Sequence, residues 1–259
     1  MMKKEKNLIN ELFVYKDIAV RQIKNFFLVF NSSYSYRLSN LAWKTRNEWT
    51  IDQLRKLAKG SKILDVGAGS APYKQFLKHC RYTSQDFCQT PGLNYGKIDV
   101  ISDIRSIPLA DKSFDAVLCT EVLEHVPYPA EALREMSRLL KSGGKLILTA
   151  PLGSGLHQTP YHFYGGFTRY WYQKFLPENN LTVESIEYSG GLYWHIIELL
   201  WRSQGITEAL YKKSSLLSPL AKIIQFFIYN IPAVFFSEME RLKKIEDFTT
   251  NYLVVAKKL

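Results

Sequence analysis

Ile63-Leu64-Asp65-Val66-Gly67-Ala68-Gly69-Ser70-Ala71-Pro72-Tyr73 runs from an apolar strand through an acid into a glycine-rich turn, and its reading decides the fold. Ile63, Leu64 and Val66 suit a strand buried on both faces, and Gly67 and Gly69 let the backbone turn tightly with no Cβ in the way. Asp65 falls at the strand's carboxyl end, where open α/β sheets bind ligands. Gly-x-Gly recurs in many turns, so the spacing of the acids and strands downstream carries the weight. Tyr82-Thr83-Ser84-Gln85-Asp86 reads as a second strand ending in an acid, 19 residues past Gly67. Asp103 comes next, then an apolar run over Ser113 to Cys119 and the segment Glu121 to Val126. A helix succeeds it, with Pro129 near its start, Leu133, Met136 and Leu140 on one face and a Gly143-Gly144 stop, before a strand over Lys145 to Ala150. This rhythm of strands and helices predicts a parallel sheet with helical crossovers.

With these motifs in this order, residues 60 to 152 resemble a class I S-adenosylmethionine-dependent methyltransferase, and the extent of the late insert together with His157 to Tyr172 is similar to the broad type-11 group of these enzymes. The resemblance implies an α/β, Rossmann-like, doubly wound seven-stranded sheet, mostly parallel with an antiparallel last strand. An N-terminal helical segment and a helical insert before the last strand would be added to it. S-adenosyl-L-methionine is the implied cofactor. The family's glycine motif falls on Asp65 to Ala71, its ribose acid on Asp86, its adenine-side acid on Asp103 with Ile104 beside it, and its Leu-Pro-Phe-x-x-x-Ser-Phe-Asp signature on Ile107 to Asp115. Gly67, Ala68, Gly69, Phe87, Thr120 and Glu121 complete the expected cofactor site. Ala71 stands where the family often has a third glycine, and its single extra methyl is expected to be tolerated.

Each position has a physical job. The turn at Gly67 and Gly69 exposes backbone groups to the methionine part of the cofactor. Asp86 can accept both ribose hydroxyls, and Asp103 can accept the adenine amine while the Ile104 amide donates to a ring nitrogen. Asp65 and Glu121 are placed to meet positive charge, Asp65 by orienting the turn or meeting the ammonium group. Methyl transfer to a hydroxyl also needs a proton acceptor, and His125, His157 and His162 are the candidates, because they come after the fourth and fifth strands and an unperturbed imidazole titrates near pH ~6.5. Tyr161, Tyr164, Thr168, Arg169, Tyr170 and Trp171 form an aromatic-rich cluster suited to stacking on an acceptor or to core packing.

Composition sets the frame. Three cysteines, Cys80, Cys88 and Cys119, lack any Cys-x-x-Cys spacing, so neither a disulfide framework nor a metal site is expected. The basic start runs into Glu11, Lys16, Asp17 and Arg21 and so lacks the uncharged core of a signal peptide; a cytoplasmic protein is expected. Of the net charge of +10, most lies in residues 1–60, with 12 Lys plus Arg against 5 Asp plus Glu. A helical stripe of Leu8, Leu12, Tyr15, Ala19, Ile23, Phe26 and Phe30 runs through that segment. Four regions are read: a helical appendage at 1–60, a core at 61–189, an apolar helical insert at 190–248 and a last core strand at 249–259.

The insert's longest charge-free stretch, Ile223 to Ser237, is too short for the ~20 residues that span a bilayer and is interrupted by Pro232. It is read as a lid, a surface-seeking element at the inner membrane face, or a packing layer. No nucleic-acid-binding signature is found, so the expected partner is a small-molecule or glycan acceptor, with O-methylation of a sugar or lipid-linked glycan leading. N-methylation of a secondary metabolite and a non-catalytic binding subunit are the alternatives. Oligomeric state is not legible.

Overall fold

The strand that carries Ile63, Leu64 and Val66 lies near the middle of a seven-stranded sheet in the computed structural model, which describes residues 41–211 and 226–259. The expected stripe over Leu8 to Phe30 lies outside the described residues, as does the start of the charge-free stretch at Ile223. In chain order the described elements are α1 (Leu41–Arg55), β1 (Lys62–Val66), β2 (Arg81–Asp86), β3 (Val100–Ile101), β4 (Phe114–Thr120), α2 (Pro129–Leu139), β5 (Leu140–Pro151), α3 (Arg169–Glu178), β6 (Leu181–Ser189), α4 (Leu192–Tyr211), α5 (Ile231–Leu242) and β7 (Asn251–Lys258).

The sheet order is β3-β2-β1-β4-β5-β7-β6. β1 pairs in parallel with both β2 and β4, and β5 continues the parallel set beside β4. β7 is antiparallel to β5 on one side and to β6 on the other. The expected antiparallel last strand is thus observed, inserted between its two neighbours.

Alternation along the strands sorts the core into two layers. Leu64, Val66, Val117, Cys119, Leu146 and Leu148 face one side, where α2 and α3 contribute Leu133, Met136, Tyr172 and Leu176. Ile63, Ala116, Leu118 and Ile147 face the other, against Leu54 of α1 and the loop residues Tyr73 and Leu77. Helices on both faces force the central strands to be apolar throughout, which is why β1 and β4 read as continuous rather than alternating runs.

Pro129 occupies the first turn of α2, where its missing N–H costs nothing. The expected helical face continues only to Leu139. Leu140 is extended (φ −73°, ψ 135°) and pairs with Phe114, so it opens β5 instead of closing the helix. The glycine pair lies inside β5, where the register with β4 shifts; a Cβ on Gly144 would come within 2.9 Å of the Lys141 carbonyl oxygen, so the close approach of backbone demands glycine there.

The described residues form two compact units, 42–190 with 246–259, which holds the whole sheet, and Leu41 with the described part of 191–245. In the second unit α4 and α5 pack through Ile197, Ala233 and Val234, with Trp194, Trp201 and Phe236 around them. Pro232 lies in the first turn of α5 rather than breaking a helix, and the Glu240 carboxylate accepts the Gly191 N–H at 2.6 Å. No helix among the described residues is long and apolar enough to cross a membrane.

Candidate active site

At the sheet's switch point, between β1 and β4, the carboxyl ends of β1, β2 and β4 open into a cleft of about 880 Å³. Pockets for drug-sized ligands span roughly 300–1,000 Å³, so this one has room for a nucleoside-sized group and part of a second molecule. The cleft and all its lining residues belong to the sheet unit.

The turn after β1 is built on left-handed backbone. Gly67 has φ +67°, and a Cβ there would sit 2.4 Å from Val122 Cγ2. Gly69 has φ +55° with open space where its Cβ would be, and its N–H donates to Asp86 Oδ2 at 2.8 Å. The first glycine is thus required by packing, whereas the second leaves the turn bare toward the cleft. Ala71 also takes a positive φ, 56°, so its methyl is tolerated under strain rather than freely.

Asp86 ends β2 and accepts two backbone N–H groups, Gly69 at Oδ2 and Cys88 at Oδ1, at 2.8 and 2.9 Å. Each oxygen keeps a second lone pair. Asp65, on β1 and almost fully buried, accepts the Tyr82 hydroxyl at 2.7 Å. Burial pushes its carboxyl up to about 7, the hydrogen bond from Tyr82 pulls it down, and the Asp86 charge pushes it up further. A nearly buried carboxyl with one neutral donor is a place where a cation is welcome.

Asp103 is engaged differently. The Arg105 side chain clamps both of its oxygens, at 2.7 to 3.2 Å, and holds its carboxyl below the usual range. Ile104 beside it lines the cleft, as do Ala68, Thr120 and Phe87, whose ring meets Tyr161 edge-to-face at 5.4 Å. Glu121 lies just past β4 with φ +55°. Three donors fix its carboxylate: Arg46 at 2.7 Å, Asn251 Nδ2 at 2.8 Å and Thr149 Oγ1 at 2.8 Å.

All ten expected cofactor positions line this one cleft. So do residues that the sequence reading did not assign to it. Trp43, Arg46, Asn47 and Ile51 of α1 form part of its wall, in a segment read from sequence as an appendage. Tyr82 gave a faint signal, a hydroxyl on an inward position of β2; Arg46 and Asn251 gave none, because only the fold brings them to Glu121.

The three candidate histidines converge, although they come from two loops. Ring centroids lie 4.7 Å apart for His125 and His157, 4.6 Å for His157 and His162, and 5.7 Å for His125 and His162. His125 lines the cleft; the other two are not among its lining residues. The Tyr161 carbonyl lies 2.5 Å from His125 Nδ1 and can only accept, so Nδ1 carries the proton and Nε2 presents a lone pair. Burial pushes the His125 pKa down, partly opposed by that carbonyl, which keeps the ring neutral. The loop after β5 is tied in place by Phe163 and Tyr164, whose N–H groups both donate to the Glu124 carbonyl.

The aromatic-rich cluster does not act as one surface. Tyr161 lines the cleft, but Trp171 packs in the core between Phe167 and Phe175, Tyr170 is exposed, Thr168 caps α3, and Arg169 pairs with Glu246 at 2.9 Å. Tyr164 donates its hydroxyl to the Pro127 carbonyl.

A family described as "Methyltransferase domain" matches residues 64–148. Among curated proteins, the chain is similar to a ubiquinone biosynthesis O-methyltransferase of Dechloromonas aromatica (strain RCB), 33% identical over 40% of this chain and 49% of that protein. It is also similar to one from Xanthomonas oryzae pv. oryzae (strain PXO99A), 35% identical over 40% and 46%. The chain therefore spans about half the length of the curated relatives it matches. Among solved structures, the cyclase SpnF superposes with a TM-score of 0.51 at 16% identity, covering 81% of this chain and 80% of that one. At that identity the likeness shows the fold alone, and a neighbour named as a cyclase underlines that the fold does not fix the reaction. Residues 64–148 thus match a methyltransferase domain, and the glycine turn and strand-end acids they carry on this sheet are those expected of the class I, S-adenosylmethionine-dependent kind.

Proposed function

We propose that this chain transfers a methyl group from S-adenosylmethionine to a hydroxyl of a small molecule, with His125 as the proton acceptor. The observation that carries the reading is the half-buried His125 ring in the wall of the cofactor cleft, with its pKa lowered by desolvation, Nδ1 committed to a carbonyl and the enclosed Nε2 left without a hydrogen-bond partner. The residues present fit the cofactor. The bare turn at Gly69 can receive its methionine part, Asp86 has lone pairs for ribose hydroxyls, and Asp65 can meet its ammonium group. Asp103 can accept the adenine amine only by sharing its oxygens with Arg105.

The bound cofactor supplies an electrophilic methyl carbon on a sulfonium. His125 would take, at Nε2, the proton that the acceptor hydroxyl loses as its oxygen receives the methyl group. Glu121, fixed by three donors, holds negative charge beside the cleft and lowers the cost of placing a cation there. His157 and His162 are assigned to support of His125 and the acceptor-side loop.

For the acceptor, we favour a sugar or lipid-linked glycan, supported by the aromatic side chains Trp43, Tyr161 and Phe163 in the cleft wall, on which a ring can stack. A ring hydroxyl of the kind implied by the relatives' name, ubiquinone biosynthesis O-methyltransferase, is the second reading. Peripheral contact with an anionic membrane belongs to the first, supported by exposed Leu199, Phe227, Ile228, Phe235 and Leu242 in the 191–245 unit. Co-sedimentation with anionic vesicles at low salt tests that contact, and recovery in the supernatant refutes it.

The test of the reaction is His125→Ala, assayed with labelled cofactor against hydroxylated sugars, glycolipids and ring phenols. Turnover falls ~10²–10⁴-fold while the affinity for S-adenosylhomocysteine is unchanged. Full turnover by the variant on a genuine acceptor refutes the assignment.

A further inference from the structure

We infer that Glu124, His125 and His157 form a binding site for one divalent transition-metal ion of the zinc class. One ligand atom from each of the three lies within 4.8 Å of the others. Three of the chain's five histidines meet at this point, His162 being the third, which is an unusual concentration of imidazole outside a metal centre.

The hydrogen bonds around the rings argue the same way. His125 Nδ1 faces the Tyr161 carbonyl at 2.5 Å and His157 Nδ1 faces the Gly155 carbonyl at 2.9 Å. Carbonyls only accept, so each neutral ring is fixed as the tautomer protonated at Nδ1 and offers Nε2 as a lone pair. This is the outer arrangement that metal-ligating histidines carry, with the second nitrogen pinned by a carbonyl or carboxylate. His125 Nε2 lies 3.7 Å from Glu124 Oε1 and has no hydrogen-bond partner. Glu124 has a side chain only 1% exposed, and its Oε2 is likewise unpartnered. A buried carboxylate oxygen beside a bare imidazole nitrogen is costly unless something between them is bonded to both.

Zinc–nitrogen and zinc–oxygen bonds of ~2.0–2.2 Å place tetrahedral ligands ~3.3–3.5 Å apart, so the set closes on an ion by small side-chain rotations. Two imidazoles and one carboxylate make a three-ligand set that leaves a position open to solvent or substrate, the pattern of reactive rather than structural zinc sites. Imidazole with carboxylate also suits cobalt and nickel, whereas magnesium prefers oxygen ligands. An ion held here takes the Nε2 lone pair that methyl transfer needs, so the metal-bound chain lacks its proton acceptor while its cofactor turn is untouched. The inference stands on the side-chain geometry and holds whether or not the chain is a methyltransferase.

The test is a cobalt(II) titration of the full chain, read by visible d–d absorption, with zinc stoichiometry after dialysis as the second measurement. The expected result is one ion per chain and a tetrahedral or five-coordinate spectrum. His157→Ala and Glu124→Gln each weaken binding at least ~10-fold, and Cys88→Ala, which removes a thiol outside the ligand set, leaves it unchanged. Melting temperature and S-adenosylhomocysteine binding are recorded for each variant, so a chain that has lost its fold is recognised; His157→Ala, on a surface loop, serves where Glu124→Gln does not fold. No bound ion in the wild type, or one whose affinity neither ligand variant changes, overturns the inference.

Discussion

Replacing Asp65 by Asn should make the ligand-free protein more stable and the liganded protein weaker. The Asp65 carboxyl is moved from its ordinary 3.8 to about 7, chiefly by burial. A carboxyl that holds its proton more tightly in the folded chain contributes full stability below pH 3.8, loses it as the pH climbs toward about 7, and changes nothing further above that. Three pH units at ~1.36 kcal/mol each set an upper figure of ~4 kcal/mol for the penalty at pH 8. Asn keeps an acceptor for the Tyr82 hydroxyl, so at most ~1 kcal/mol of hydrogen-bond strength is given back. Asp65→Asn should therefore melt roughly 5–12 °C above wild type at pH 8 and within ~2 °C of it at pH 4. The same change removes the proposed partner of the cofactor's ammonium group, so S-adenosylhomocysteine should bind ~10–150-fold more weakly. In the wild type, ligand affinity should rise with pH up to about 7, because ionised Asp65 is the form that binds. Melting curves across pH and calorimetric titration measure both halves. A variant that is no more stable at pH 8, with unchanged ligand affinity, would refute the argument that this buried acid waits for a cation.

Asp86→Ala removes the acceptor of the Gly69 and Cys88 N–H groups as well as the proposed acceptor of the ribose hydroxyls, and should weaken cofactor binding by about 1.5–3 kcal/mol in calorimetry. Gly67→Ala drives a methyl into Val122 on left-handed backbone and should cost ~2–4 kcal/mol in urea unfolding, with binding lost in proportion. Ala71→Gly should gain up to ~1 kcal/mol in the same assay, because relief of ~1–2 kcal/mol of strain at φ 56° exceeds the added chain entropy of ~0.5–1 kcal/mol.

Neighbouring residues, acting together, determine the parts of the fold that were legible in the sequence. The strand and turn at Ile63 to Gly69, the acid 19 residues on and the proline-started α2 are local patterns, and the structure places them as read. Leu140 was misplaced because a helical spacing of apolar residues continues one position past the true end, and only pairing with Phe114 decides the boundary. The partners that set the site's electrostatics were invisible for the same reason. Tyr82 reaches Asp65 across two strands, Arg46 reaches Glu121 from 75 residues upstream, and Asn251 reaches it from 130 residues downstream. The histidine cluster was half legible: the residues were named, but their meeting depends on a loop that folds back onto the Glu124 carbonyl.

The position of β7 between β5 and β6 has a kinetic consequence. The strand that joins these two is the last of the described elements, and residues 191–245 must be made before it. Until then the nascent sheet presents two unpaired edges, on β5 and on β6, each with a full row of open N–H and carbonyl groups and apolar side chains on its faces. Pairings of such long sequence separation form slowly, so the interval is one in which strand swapping between chains competes with completion. A polypeptide stopped at residue 250 would keep its glycine turn and most of the acids that ring the cleft, yet it should accumulate as aggregates, held out of solution by the absence of one eight-residue strand.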